Sequence, residues 1–133
     1  MIFVLDSSAV LAYLRSEPGE FVVEELLSDE NNNCYIHAIN LCEVYYDVVR
    51  EYGKPRALAT IRSLEEAGLI LREDMDFEFW QSVGDHKAPG GIFLADCFCM
   101  VLANRLDAEL VTADRQEFGT AAEKRLCRVM FVR

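Results

Sequence analysis

The chain has 133 residues, 52% hydrophobic and 27% charged, with 23 Asp and Glu against 13 Lys and Arg. That length fits one domain, that apolar content excludes a disordered chain, and the net charge of −10 excludes a module that coats nucleic acid by neutralising its phosphates. No apolar run reaches the roughly 18 residues of a membrane span, and MIFVLDSSAVL lacks the basic start and cleavage site of a signal peptide, so a cytoplasmic protein is expected.

Ile2 to Leu5 is a continuous apolar run ending at Asp6, which predicts a strand buried on both faces. Ser7 to Arg15 reads as a helix and Pro18-Gly19 as a turn. Val22, Val23, Leu26 and Leu27 form the stripe of a second helix that ends near Asn31 to Asn33. Cys34 to Ile39 is the second predicted strand. From Asn40, residues Leu41, Val44, Tyr45, Val48 and Val49 fall at helical spacing, and Gly53 closes that helix. Pro55 suits the first turn of the next helix, which carries Leu58, Ile61 and Leu64 and ends at Gly68, before a brief strand at Leu69 to Leu71. Phe77 to Val83 predicts a turn or two of helix, broken by Pro89-Gly90-Gly91. Ile92 to Leu106 is a long apolar helix, Glu109 to Thr112 a fourth strand and Val129 to Val132 a fifth. Strands alternating with helices imply a mostly parallel five-stranded sheet covered by helices on both faces. The five cysteines, Cys34, Cys42, Cys97, Cys99 and Cys127, are odd in number and contain no C-x-x-C pair, so they are expected to be buried small hydrophobes rather than disulfides or zinc ligands.

The carboxylates carry the chemistry. Asp6 and Asp114 each follow directly on an apolar strand, MIFVL and ELVTA, and ligands of open α/β sheets bind outside those strand ends. Each acid taken alone also suits a helix N-cap. Asp96 is the one charged residue between Ile92 and Ala103, and a carboxylate on so apolar a helix needs a partner: a cation, a basic side chain or the helix dipole. Helical periodicity puts Glu43 with Asn40 and Asp47, opposite the apolar stripe, where a solvated glutamate belongs.

LDSSAVLAYL, AINLCEVYYDVV, GIFLADCFCMVLA and LVTADRQEF, in that order and at that spacing, resemble the four motifs of PIN-domain ribonucleases, and most of all VapC-type toxins of type II toxin–antitoxin (VapBC) systems. The resemblance covers the whole chain as a single PIN domain, 1–133, and implies a three-layer α/β/α fold. It implies a metal-dependent endoribonuclease whose Asp6, Glu43, Asp96 and Asp114 hold Mg²⁺ or Mn²⁺, and it lifts Glu43 above its periodicity through the N-L-x-E-V setting. It further implies Ser8 and Thr112 as supporting hydroxyls, a homodimer, and a cognate VapB-like antitoxin. Where many relatives carry a further Asp this chain has Gln116, and Glu117 is the acid that can stand in, or a helix-start residue. The alternatives within the family are an RNA-processing nuclease without an antitoxin and a silent binding domain.

Hard cations take oxygen ligands and share them with substrate phosphate, so an acid cluster suits phosphodiester cleavage and accepts a polyanion once a cation is bound. Lys87, Arg105 and Arg115 lie near the motifs in sequence as candidate RNA contacts, or as solvated basic residues. Phe77, Phe79 and Trp80 suit core packing, base stacking or a subunit face, and Tyr45, Tyr46 and Val49 suit a subunit contact. Two other acidic α/β classes fit less well. A receiver-type signalling domain needs an acid pair after the first strand and a Lys after the fifth, and a haloacid-dehalogenase-like phosphatase needs D-x-D where this chain has Asp6-Ser7-Ser8.

Overall fold

The computed structural model describes all 133 residues. Five strands, β1 (Ile2–Leu5), β2 (Asn33–His37), β3 (Leu69–Arg72), β4 (Glu109–Thr112) and β5 (Val129–Phe131), form one sheet in the order β3-β2-β1-β4-β5. Every pairing is parallel, so the sheet is wholly rather than mostly parallel. Seven helices connect the strands: α1 (Ser7–Leu14), α2 (Glu20–Ser28), α3 (Ala38–Tyr52), α4 (Lys54–Glu66), α5 (Phe77–Lys87), α6 (Leu94–Arg105) and α7 (Arg115–Glu123). None is long and apolar enough to cross a membrane.

The unbroken apolar runs of the central strands follow from a sheet with a core on each face. Phe3, Leu5 and Val111 point into one core with α1 to α4, whereas Val4 and Leu110 point into the other with α5 to α7. Seven consecutive residues of α6, Cys97 to Ala103, are buried, which accounts for a helix with no polar face. Four of the cysteines lie in the interior as expected; Cys42 does not, because it sits on the exposed side of α3.

Several boundaries differ from the sequence reading. β2 stops at His37, not Ile39, because the His37 imidazole caps the next helix: Nδ1 accepts the Ile39 N–H at 3.1 Å, and Nε2 donates to Asp74 O at 2.9 Å. α3 therefore begins at Ala38, which brings Asn40 inside its first turn. α5 runs to Lys87 rather than Val83. α6 starts at Leu94 rather than Ile92, since Gly90 and Gly91 take φ of 80° and 87° and Phe93 stays extended. α7, which the sequence offers only as the helix after a capping Asp114, is a full element.

Gly19, the N-cap of α2, abuts the C-terminus. Its φ is +101°, and an added Cβ would lie 2.6 Å from Val132 Cγ2 and 3.0 Å from Val132 O. Gly19→Ala is expected to cost about 2 kcal/mol through strain and overpacking together. Thermal denaturation checks this, and an unchanged melting temperature would mean that the C-terminus yields freely.

Candidate functional site

The chain winds outward from β1 through β2 to β3, then returns to the other side of β1 to lay down β4 and β5. Strand order thus reverses between β1 and β4, and the crevice beyond their carboxyl ends is where ligands of such sheets bind. Asp6 follows β1 and Asp114 follows the β4 segment by two residues. Each caps the helix after it: Asp6 Oδ1 accepts the Ala9 N–H, and Asp114 Oδ1 the Glu117 N–H, both at 2.9 Å. Capping and site placement are therefore joint properties of these two acids.

Asp6 is almost wholly buried, with 1% of its surface exposed. Ser8 Oγ donates to its Oδ1 at 2.8 Å and Thr112 Oγ1 to its Oδ2 at 2.5 Å. Ser8 in turn accepts the Ala113 N–H, and Thr112 accepts the Asp114 N–H, so the two hydroxyls weld the ends of β1 and β4 together. Burial pushes the Asp6 carboxyl up to about 6 against the pull of the hydrogen bonds from Thr112, Ala9 and Ser8, and the Asp114 charge adds to the rise.

Asp96 enters from the first turn of α6. Burial first, then the Asp6 charge, a carboxyl–carboxyl hydrogen bond with Glu117 and the charges of Glu117 and Glu43 raise its carboxyl to about 8. Asp96 therefore feels the carboxylates of Asp6, Glu43 and Glu117, and Asp6 that of Asp114. None of the ion pairs in the molecule involves any of these five acids.

Glu43 is half-buried and accepts a hydrogen bond from Ser7 Oγ at 3.1 Å. The face that periodicity assigns to solvent is turned inward. Asn40 is fully buried, and its Nδ2 donates to Ala95 O at 3.1 Å, tying α3 to the start of α6. Asn40 Oδ1 is the one buried side-chain polar atom without a partner. Glu117 links α7 to α6 as well, since its Oε1 accepts the Phe93 N–H at 2.6 Å. Sequence reasoning missed Ser7 and Asn40. The signals were a hydroxyl at the first position of a helix and an amide one turn before an acid.

The three basic candidates are engaged within the chain. Lys87 Nζ donates to Ile92 O at 2.8 Å. Arg105 grips Asp76 with both terminal nitrogens and reaches Asp74 at 3.0 Å, roughly 13 Å along α6 from Asp96 at 1.5 Å per residue. Arg115 Nε donates to Arg133 O at 2.7 Å, with its guanidinium over Phe131. The aromatic trio divides. Phe79 is buried and stacks on His37, whereas Phe77 and Trp80 meet edge-on at 4.8 Å on the surface. Tyr46 is exposed, and Tyr45 and Val49 are half-buried.

The donor set suits a hard divalent cation. Every candidate ligand is a carboxylate oxygen, and the upward shift at Asp96 comes first from burial and then from the carboxylates around it. The acids ring a space rather than close on it, for no three His, Cys, Asp or Glu side chains stand close enough to hold one ion as they are.

Solved structures with the same fold span nearly the whole chain. The VapBC-1 structure from nontypeable Haemophilus influenzae aligns with a TM-score of 0.75 at 17% identity, over 99% of this chain and 98% of that one. DNA-bound VapBC from Salmonella typhimurium gives 0.74 at 16%, over 100% and 99%. The sarcin–ricin loop-cleaving toxin VapC20 of Mycobacterium tuberculosis gives 0.68 at 15%, over 91% and 95%. Likeness at these identities is one of fold. No curated protein sequence matches the chain. The PIN domain family model does match, over residues 3–124, a span that takes in all four acids brought to the strand-order reversal, and on that match the chain belongs to the PIN domain family.

Proposed function

We propose that this chain, as one PIN domain over residues 1–133, is an endoribonuclease dependent on Mg²⁺ or Mn²⁺ and the toxin of a type II toxin–antitoxin pair. The observation that carries the reading is the crowding of uncompensated carboxylates at the β1/β4 reversal, with Asp96 raised to about 8. Asp6, Glu43, Asp96 and Asp114 are the residues that would hold the ion. A bound Mg²⁺ or Mn²⁺ supplies the positive charge that admits a phosphate and acidifies an attacking water.

The chain's own contribution is rigidity and placement. Ser8 and Thr112 fix both oxygens of Asp6, Ser7 orients Glu43, and Asn40 sets the start of α6 against α3. Glu117 holds the backbone ahead of Asp96. Solved VapBC complexes of this fold, and a toxin–antitoxin complex from Klebsiella pneumoniae, support a VapB-like antitoxin as the partner here, and the motif resemblance adds a homodimer to the proposal.

The test is cleavage of a mixed small-RNA pool by the purified chain with Mg²⁺, Mn²⁺ or EDTA. Cutting in both metals and none in EDTA is the expected result. No cutting by folded, metal-loaded, antitoxin-free protein overturns the reading.

A further inference from the structure

Beside the acids, and sharing Glu117 with them, lies a cleft of about 520 Å³ between the Pro89-Gly90-Gly91 turn and α7. Ile92, Met100 and Ala121 give it apolar walls, and Thr120, His86 and Lys124 bring a hydroxyl, an imidazole and an ammonium to it, together with the Asp85 carboxylate. The turn that forms one side is pinned at three points. Gly90 N–H donates to Lys87 O at 2.9 Å, Lys87 Nζ to Ile92 O at 2.8 Å, and Phe93 N–H to Glu117 Oε1 at 2.6 Å. A Cβ built at Gly90 or Gly91 meets no atom within 4 Å, so the turn leaves the space beside it open. The cleft is thus formed before any ligand arrives.

An apolar slot with a few converging polar groups has the makeup of a small-molecule subsite. Its position beside acids suited to a metal-bound phosphate narrows the ligand to something attached to that phosphate. Proteins that read single-stranded RNA splay a base out, pack its ring on nonpolar or aromatic groups and hydrogen-bond its edge. Resting on the nuclease reading above, we propose that this cleft takes the base of a nucleotide flanking the bond at the acid site. The ring lies against Ile92, Met100 and Ala121, Thr120 and His86 meet the base edge, and Lys124 takes an adjoining phosphate. Lys124 is the ammonium of the cleft that can meet a phosphate, against the carboxylates of Asp85 and Glu117. Lys87, Arg105 and Arg115 are spent on groups of the chain itself, whereas Lys124 makes no ion pair.

The full chain is titrated with each of the ribonucleoside 5′-monophosphates and with inorganic phosphate while backbone amide resonances are followed. Saturable shifts at Gly91, Thr120 and Lys124 are expected, with one base preferred about tenfold, the worth of one good hydrogen bond. Thr120→Trp, a change at an exposed position that fills the cleft, is expected to abolish them, and inorganic phosphate alone is expected to leave Gly91 and Thr120 unmoved. Equal binding of all bases, or shifts confined to other regions, overturns the proposal and leaves the cleft to a peptide or to solvent. Base-selective binding by a chain that cuts no RNA sustains the subsite and sinks the nuclease reading. Cutting with the same base preference at the cut site in folded Thr120→Trp sinks the subsite alone.

Discussion

Asparagine at position 96 is expected to abolish RNA cleavage and, in the same protein, to raise the melting temperature in EDTA. The side chain keeps its shape and loses a charge that Asp6, Glu43 and Glu117 all oppose. Loss of one preorganised charged group at a phosphate site is worth about 10²–10³ in rate, and more where it holds the metal. The stability gain comes from relieved repulsion and from an amide that still donates to Glu117 at a pH where the Asp96 carboxyl has released its proton. For a chain of this size each 1 kcal/mol moves the melting temperature by roughly 3–5 °C, so a rise of several degrees at about pH 8 is the expected reading. Calorimetry and the RNA assay on one preparation decide it. Lost activity with a lowered melting temperature would mean that Asp96 supports the fold and is not held against it.

Melting in EDTA is expected to worsen as pH rises from about 5 to about 9, and added Mg²⁺ to reverse the trend. Asp6 at about 6 and Asp96 at about 8 are both raised from the ordinary 3.8. Between those values the folded chain holds protons that the unfolded chain has released. Their contribution is therefore complete below about pH 4 and is lost as pH climbs through 6 and then 8. Asp74 and Asp76 act in the opposite sense, because Arg72 and Arg105 hold Asp74, and Arg105 holds Asp76, at about 2. Their contribution is present above pH 4 and is lost as pH falls toward 2. A cation bound only by the folded state adds about 2.7 kcal/mol at a hundredfold excess over its dissociation constant, or roughly 8–14 °C here. That gain should appear at about pH 8, shrink toward pH 5 as protons compete for the carboxylates, and be much reduced in Asp96→Asn. A Mg²⁺ effect of equal size in the variant would place the ion elsewhere.

The strands that position the acids were legible because burial on both faces leaves an unbroken apolar run. Asp6 and Asp114 could be placed at strand ends on that basis alone. Asp96 announced itself as a charge in an apolar helix, and its partners turned out to be other acids rather than a basic residue. Glu43 was not legible from periodicity, because a helical wheel registers hydrophobicity and the inward face here is polar: Asn40 is buried against the Ala95 carbonyl and Glu43 faces Ser7. Only the N-L-x-E-V resemblance drew attention to it. The fate of the basic residues could not be read either, since Arg105 finds Asp76 and Asp74 from 29 and 31 positions away. His37 hid for a similar reason: its cap on α3 and its bond to Asp74 O depend on where the loop after β3 returns.

The clamp on Asp6 joins residues 106 positions apart, and β1 finds one of its two neighbours only when β4 is made. On a ribosome, a nascent chain that stops short of Thr112 carries Asp6 without the hydroxyl that fixes it, and lacks Asp114 altogether. Until β4 emerges, β1 also presents a bare hydrogen-bonding edge, the kind of surface that holding chaperones protect from aggregation. A chain terminated before β4 therefore lacks both the clamp on Asp6 and the Asp114 carboxylate. The acid site is therefore completed in one step, when β4 and Asp114 arrive, rather than growing with the length of the product.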